Sequence, residues 1–320
     1  MPKERPLLDS EFVVALAETK IWAMRPELVA GLARIERNLT TPHLVGLFDD
    51  DDEDEDPPAA APGVAVVSLR GAISPRSSFL MALFGGGSGS LAQFVTDLSG
   101  AAADDEVKSI IIDIDSPGGI VDQVPETAAK MREIREASGK PIVAIANTMA
   151  CSAAYWLASQ ADEVVVTPSG ELGSIGVYSL HRDVSVAAEQ AGIKHTLIHA
   201  GKYKVEGNPY EPLSDEALSA EQDVVDDYYG MFISDVATGR GVKAKDVREG
   251  YGEGRSLTAE RAVKAGLADR VATLPDTVSR LASGRPRLRR AALAAVDQPA
   301  AQSYTRDERL RLLDALVASG

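Results

Sequence analysis

The chain has 320 residues, a formal net charge of −15, 45% apolar residues and a single cysteine, Cys151. One cysteine excludes an intramolecular disulfide and any multi-cysteine zinc or iron–sulfur site, and the acidic balance argues against a nucleic-acid footprint over the whole chain, because phosphate repels it. At ~100–200 residues per domain the length fits one large domain with extensions, or two domains, and ordinary glycine and proline usage excludes collagen and global disorder.

The start, Met1-Pro2-Lys3-Glu4-Arg5-Pro6, leads into no apolar core segment, so no signal peptide is predicted. No run of about 18 apolar residues occurs, so no membrane-spanning helix is predicted either. With one cysteine suited to a reducing compartment, a soluble cytoplasmic protein is expected.

Apolar residues recur at helical spacing over 11–40 (Phe12, Leu16, Ile21, Met24, Leu28, Leu32, Ile35), with Pro26 dividing them into two helices. Residues 1–48 therefore read as a helical N-terminal extension. Eight consecutive acids, Asp49 to Asp56, then precede a proline-rich stretch ending at Gly63. Mutual repulsion and proline make 49–63 a linker. Much of the net charge sits there, so the acidity says little about a substrate.

The run 64–69 reads as a strand, and 85–90 as a glycine-rich loop without the Gly-Lys-Ser/Thr of a phosphate loop. Strands follow at 107–114, 141–146, 164–166, 196–198 and 268–271. Helices are predicted at 124–138, 151–160, 181–191, 213–240, 243–249 and 258–266. Apolar strands alternating with helices predict an α/β fold with a largely parallel sheet. The domain is expected over 64–275. Beyond it, 276–320 reads as a basic tail (Arg285, Arg287, Arg289, Arg290) ending in a short amphipathic helix.

Three segments that each follow a predicted strand carry candidate chemistry, where open α/β sheets place their ligand sites. Asp115-Ser116-Pro117-Gly118-Gly119 permits close backbone approach and exposed N–H groups, or is an ordinary tight turn. Ser152, in Ala150-Cys151-Ser152-Ala153-Ala154-Tyr155, opens a helix; it is either a nucleophile favoured by the helix N-terminus or a plain N-cap. Cys151 competes as nucleophile, but a free cysteine is more often buried and inert. The third segment is Gly201-Lys202-Tyr203-Lys204. An amine with a reference pKa of ~10.4 is no base at neutral pH unless burial lowers it, so a lone lysine reads first as a solvated charge. His195 and His199 are four apart across a predicted strand and read as structural.

The ordered motifs 115–119, 149–155, Gly173-Ser174-Ile175-Gly176-Val177 and 201–204 together resemble the signal peptide peptidase family of Ser–Lys enzymes. The segments Lys204–Tyr210 and 251–270 resemble its phage head-maturation (capsid) protease branch, as, more weakly, does Trp22-Ala23-Met24-Arg25-Pro26-Glu27. The resemblance covers about residues 64–275. It implies a Clp protease/crotonase-like fold of repeated β-β-α/β-α units, with Ser152 as nucleophile and Lys204 as general base. It also implies Ser174 supporting the lysine, Gly119 and Ala153 donating oxyanion N–H groups, and Gly118 shaping the turn. Lys202 is the alternative base, and the match to Gly207-Asn208-Pro209 favours Lys204. Cys151 departs from the family pattern, where a smaller residue is common. No metal or cofactor is implied.

The expected partners are a protein or peptide substrate (scaffold, capsid or signal peptide), further copies of the chain in a homo-oligomer, and phage head proteins. Two other kinds of function remain open. One is a cytoplasmic bacterial peptidase of signal-peptide remnants. The other is a crotonase-like acyl-CoA enzyme or a non-catalytic assembly component, neither of which needs Ser152 paired with Lys204.

Overall fold

The computed structural model describes residues 61–76 and 88–284, together with the backbone of 22–24. The acidic run 49–56 and the tail from 285 onward lie outside the described residues, as does most of the expected N-terminal helical extension.

The main sheet is built on strands β2 (Val64–Arg70), β5 (Ser109–Ser116), β7 (Ile142–Cys151) and β8 (Glu163–Val166), all parallel neighbours in that order. Their β-branched, apolar sequences suit strands covered on both faces. Ile110, Ile111, Ile112, Val143, Ala144, Ile145, Val164 and Val165 are completely buried. β9 (Glu171–Gly173) pairs parallel with the far end of β7, and β10 (Ser256–Thr258) pairs antiparallel with β9. β11 (Arg270–Val271) adds to β8.

A second, smaller sheet stands beside the C-terminal ends of these strands. It contains β1 (Trp22–Met24), β6 (Gly118–Ile120), β3 (Ala72–Ser74) and β4 (Ser88–Ser90), in that order. Long strand β2 is followed by two short strands of the second sheet, β3 and β4, and then helix α1 (Leu91–Ala103), and β5 by the short β6 and then α2 (Val124–Ser138). This is the repeated β-β-α arrangement expected for the fold class, with one short strand more in the first unit. Helix α2 follows from local sequence: Pro125 lies in its first turn, Val124, Ala128, Met131 and Ile134 face the core, and Gly139 ends it at φ 64°.

Helix α3 (Ala153–Ala158) follows β7 directly and is wholly buried. The long helix α5 (Asp215–Arg240), which comes after the short α4 (Ser185–Gln190), begins at the Ser214 cap and lays its C-terminal half over α3. There Trp156 stacks on Phe232 at 4.4 Å and donates its indole N–H to Asp235 at 2.8 Å. Helices α6 (Ala244–Gly250), α7 (Ala259–Ala265) and α8 (Leu274–Ala282) complete the core. Leu274, Val278 and Leu281, on the buried face of α8, pack on Ile111, Val143 and Val165.

Three local expectations differ from the structure. Residues 22–24, placed within a helix, form a strand, because the edge of β6 offers backbone partners that helical spacing alone does not reveal. Ser88–Ser90, read as loop, is strand β4 paired with β3. Residues 196–198 form no strand, and Ile198 is 95% exposed. A short apolar triplet is extended only where a sheet accepts it.

Candidate active site

Ser152 sits at the junction between the end of β7 and the start of α3. Its backbone has φ 56° and ψ −122°, a conformation costly for any residue with a Cβ and concentrated at functional sites. The turn is held on both sides: Ser152 N–H donates to Gly173 O at 2.7 Å, and Trp156 N–H of α3 itself donates to Ser152 O at 2.9 Å. A serine that merely capped α3 would accept from that helix with its side chain. Ser152 makes no such bond; its Oγ points to Gly176 O at 3.5 Å, and the residue is 1% exposed. A strained strand-to-helix turn that frees a serine hydroxyl from structural work is the geometry of a nucleophile elbow.

Gly118 and Gly119 reach the same region because β5 runs beside β7, with Ser116 level with Ala150. The buried Ser116 hydroxyl donates to Gly71 O at 2.6 Å and accepts from Gly118 N–H at 3.2 Å, which locks the turn. Gly118 adopts φ 102°. A Cβ on Gly119 would lie 1.9 Å from Ile73 O, so only glycine lets β6 pass β3. Gly119→Ala is expected to cost about 1–3 kcal/mol through overpacking, read as a lower Tm, and to displace the turn and remove activity with it. Ala153 is buried in the first turn of α3, whose N–H groups have no intrahelical partner. The hydroxyl of Thr148 hydrogen-bonds the carboxylate of Asp115, tying the ends of β7 and β5 together.

Ser174 follows β9 with φ 53°, a second strained serine, and its N–H donates to Arg255 O at 3.0 Å. It is tied to the Ser152 turn through the adjacent pairing of Cys151 with Gly173. Cys151 itself is completely buried.

Lys204 is exposed on the turn 201–207, where its N–H donates to Gly201 O at 3.3 Å, and its amine makes no hydrogen bond with Ser152. Lys202 is engaged on the surface: its amine donates to the Tyr203 hydroxyl at 2.7 Å and to Glu216 at 2.9 Å. These two bonds, Tyr203 first, raise the Lys202 pKa, which disfavours the neutral amine that base catalysis needs. His195 stacks on Tyr210 at 3.8 Å and His199 bonds Gly201 O, both on the exposed segment.

The sequence reading assigned no role to the Gly176 carbonyl, the Ser116 clamp or Arg255. The first two lie inside the motifs that carry the family resemblance. Arg255 lies in the 251–270 segment, far off in sequence, and reaches Ser174 because β10 pairs with β9.

A buried serine in a strained turn, next to a double-glycine strand, is an arrangement that suits a serine hydrolase. Residues 134–286 match the model of peptidase family S49. Capsid assembly protease C of Escherichia phage lambda is 34% identical over 219 residues, which are 68% of this chain and 48% of that protein. The head-tail preconnector protein GP5 of Enterobacteria phage P21 is 35% identical over 189 residues, 59% of this chain and 37% of that protein. Protease 4 of Salmonella typhi is 30% identical over 182 residues, 57% of this chain and 29% of that protein. Just under half of the chain is thus similar to peptidase family S49, and the chain is similar to capsid assembly and head proteins of phages as well as to bacterial protease 4. It spans about half or less of the length of these relatives. Among the described residues, no helix is long and apolar enough to cross a membrane.

Proposed function

We propose that the chain is a serine endopeptidase with Ser152 as nucleophile and Lys204 as general base, processing scaffold or capsid proteins during phage or prophage head maturation. The strained backbone of Ser152, with its hydroxyl unused by the helix cap, is the observation that carries this reading. Similarity to the phage proteins supports the choice of substrate class over signal-peptide remnants.

In the reaction, neutral Lys204 takes the Ser152 proton as Oγ attacks a peptide carbonyl carbon. The oxyanion is held by the N–H groups of Gly119 and Ala153. The lysine then gives the proton to the leaving amine, and water hydrolyses the Ser152 ester. A neutral amine requires a desolvated setting, so the loop carrying Lys204 must close on the site.

Copies of the chain associate through this same segment and fold that loop inward. Large apolar residues stand exposed over 186–218, among them Val186, Ile193, Ile198 and Leu218, and apolar surface of that extent marks an interaction site where it is contiguous. Specific activity is therefore expected to rise with protein concentration. Ile193→Asp with Ile198→Asp should reduce both the particle mass in light scattering and the activity. A mass and a specific activity that are the same at all concentrations and in the double variant would contradict this.

The test of function is co-expression with a candidate capsid or scaffold protein and mass spectrometry of the products. Defined fragments with the native chain and none with Ser152→Ala are expected; identical fragments with both would reject Ser152 as nucleophile.

A further inference from the structure

Strand β6 holds Gly118 and Gly119 and has two edges. One pairs with β3, where Ile73 lies level with Gly119. The other pairs antiparallel with β1, in the register Trp22 to Ile120, Ala23 to Gly119 and Met24 to Gly118. β1 comes from upstream of the whole acidic run, yet it lands on the strand beside the Ser152 turn.

A free strand edge binds an extended peptide through its backbone groups. The edge of β6 is suited to such a visitor, because Gly118 and Gly119 carry no side chains to hold a second backbone away. The register places Ala23, the smallest residue of β1, opposite Gly119, the proposed oxyanion donor. A substrate strand seated on this edge and β1 cannot both be present.

We propose that Trp22–Met24 is an internal pseudosubstrate, filling the β6 edge that the backbone of a protein substrate would occupy. The chain is then closed to substrate until β1 leaves. The inference rests on the reading of Ser152 and Gly119 as a peptidase site. A ladder of three residues is weak, so the block is reversible and appears as a reduced apparent affinity rather than as complete loss.

The test uses full-length chains carrying Ser152→Ala, which bind without cutting, and a fluorescein-labelled peptide of residues 18–28 (ETKIWAMRPEL). Fluorescence anisotropy is recorded with Ala23 intact and with Ala23→Pro, since proline removes the N–H and cannot sit within a paired strand. Ala23→Pro is expected to tighten peptide binding about tenfold, and to speed hydrogen exchange at Gly118–Ile120 until peptide is added. Ala23→Gly, which weakens a strand without the proline constraint, should shift both readings less and in the same direction. Equal affinity and equal exchange in all three backgrounds would overturn the proposal. Neither reading depends on catalysis. With Ser152 restored, tighter binding of the 18–28 peptide in a chain that cleaves no candidate capsid or scaffold protein would reject the peptidase reading and leave the occluding strand standing, whereas cleavage of that protein indifferent to Ala23→Pro would reject the strand's role alone.

Discussion

Ser152→Ala is expected to lower peptide-bond cleavage by at least a thousandfold, about the scale on which removing a nucleophile disables a hydrolase, with Tm unchanged. The side chain caps nothing, and its one polar contact is the long approach to Gly176 O at 3.5 Å. Removing the hydroxyl therefore takes away chemistry without leaving a buried partner unpaired. Lys204→Ala should cost about 10²–10⁴-fold, the usual range for a general base, again without loss of stability, because the residue is exposed. Lys202→Ala separates the two lysines. Its amine is already committed to Tyr203 and Glu216 on the surface, so activity should change less than about threefold, in keeping with an exposed ion pair worth ~0–1 kcal/mol. Steady-state cleavage of a fluorogenic peptide checks all three. Activity lost with Lys202→Ala and retained with Lys204→Ala would reverse the assignment.

The second large effect is on stability, at Arg240. This residue ends α5 and is nearly sealed from solvent, with its side chain 1% exposed. Its guanidinium makes a two-point pair with Asp269 at 2.8 and 2.9 Å and also donates to Gly266 O at 3.0 Å. Asp269 in turn accepts from Val164 N–H at 2.7 Å, so the cluster ties α5 to β8 and to the turn before β11. The same turn accepts the Tyr155 hydroxyl on Leu267 O at 2.9 Å, and Tyr155 belongs to the helix that starts at Ser152. Arg240→Ala strands a carboxylate and empties a buried volume. A loss of about 3–5 kcal/mol is expected, which for a domain of this size lowers Tm by about 6–20 °C. Arg240→Lys keeps the charge but not the fork and should fall in between. Thermal unfolding followed by circular dichroism reads both. A shift below about 2 °C for Arg240→Ala would mean the pair contributes little beyond what it costs to bury.

The parts of the fold legible in the sequence are those fixed by local pattern. The 124–138 helix is marked by Pro125, its apolar spacing and Gly139, and the strands expected at 107–114, 141–146 and 164–166 by apolar, largely β-branched runs; that β7 runs on through Asn147 to Cys151 was not legible. Helix α1 carries the same signal in Leu91, Phe94, Leu98 and Ala102, yet no helix was expected there, because the glycine-rich stretch before it obscured the Ser90 cap. The short strands of the second sheet were not legible. Three residues carry no period, and what makes Trp22–Met24 or Ser88–Ser90 extended is a partner distant in sequence.

The site divides the same way. Ser152, Gly118 and Gly119 follow strands directly, so the sheet places them together. Lys204 follows a segment that joins no sheet and stands exposed on a turn held by a local bond to Gly201 O, so no strand carries it to Ser152. The −15 charge is also clearer: it tells of the upstream acidic run rather than of the core around Ser152, which is lined by alanines and glycines.

The most direct test of the central claim is covalent labelling by a fluorophosphonate, located by peptide mass spectrometry. The account predicts one adduct, on Ser152, formed at a rate that falls steeply in Lys204→Ala and is little changed in Lys202→Ala. An adduct on another residue, or labelling of Ser152 that is indifferent to Lys204, would contradict it.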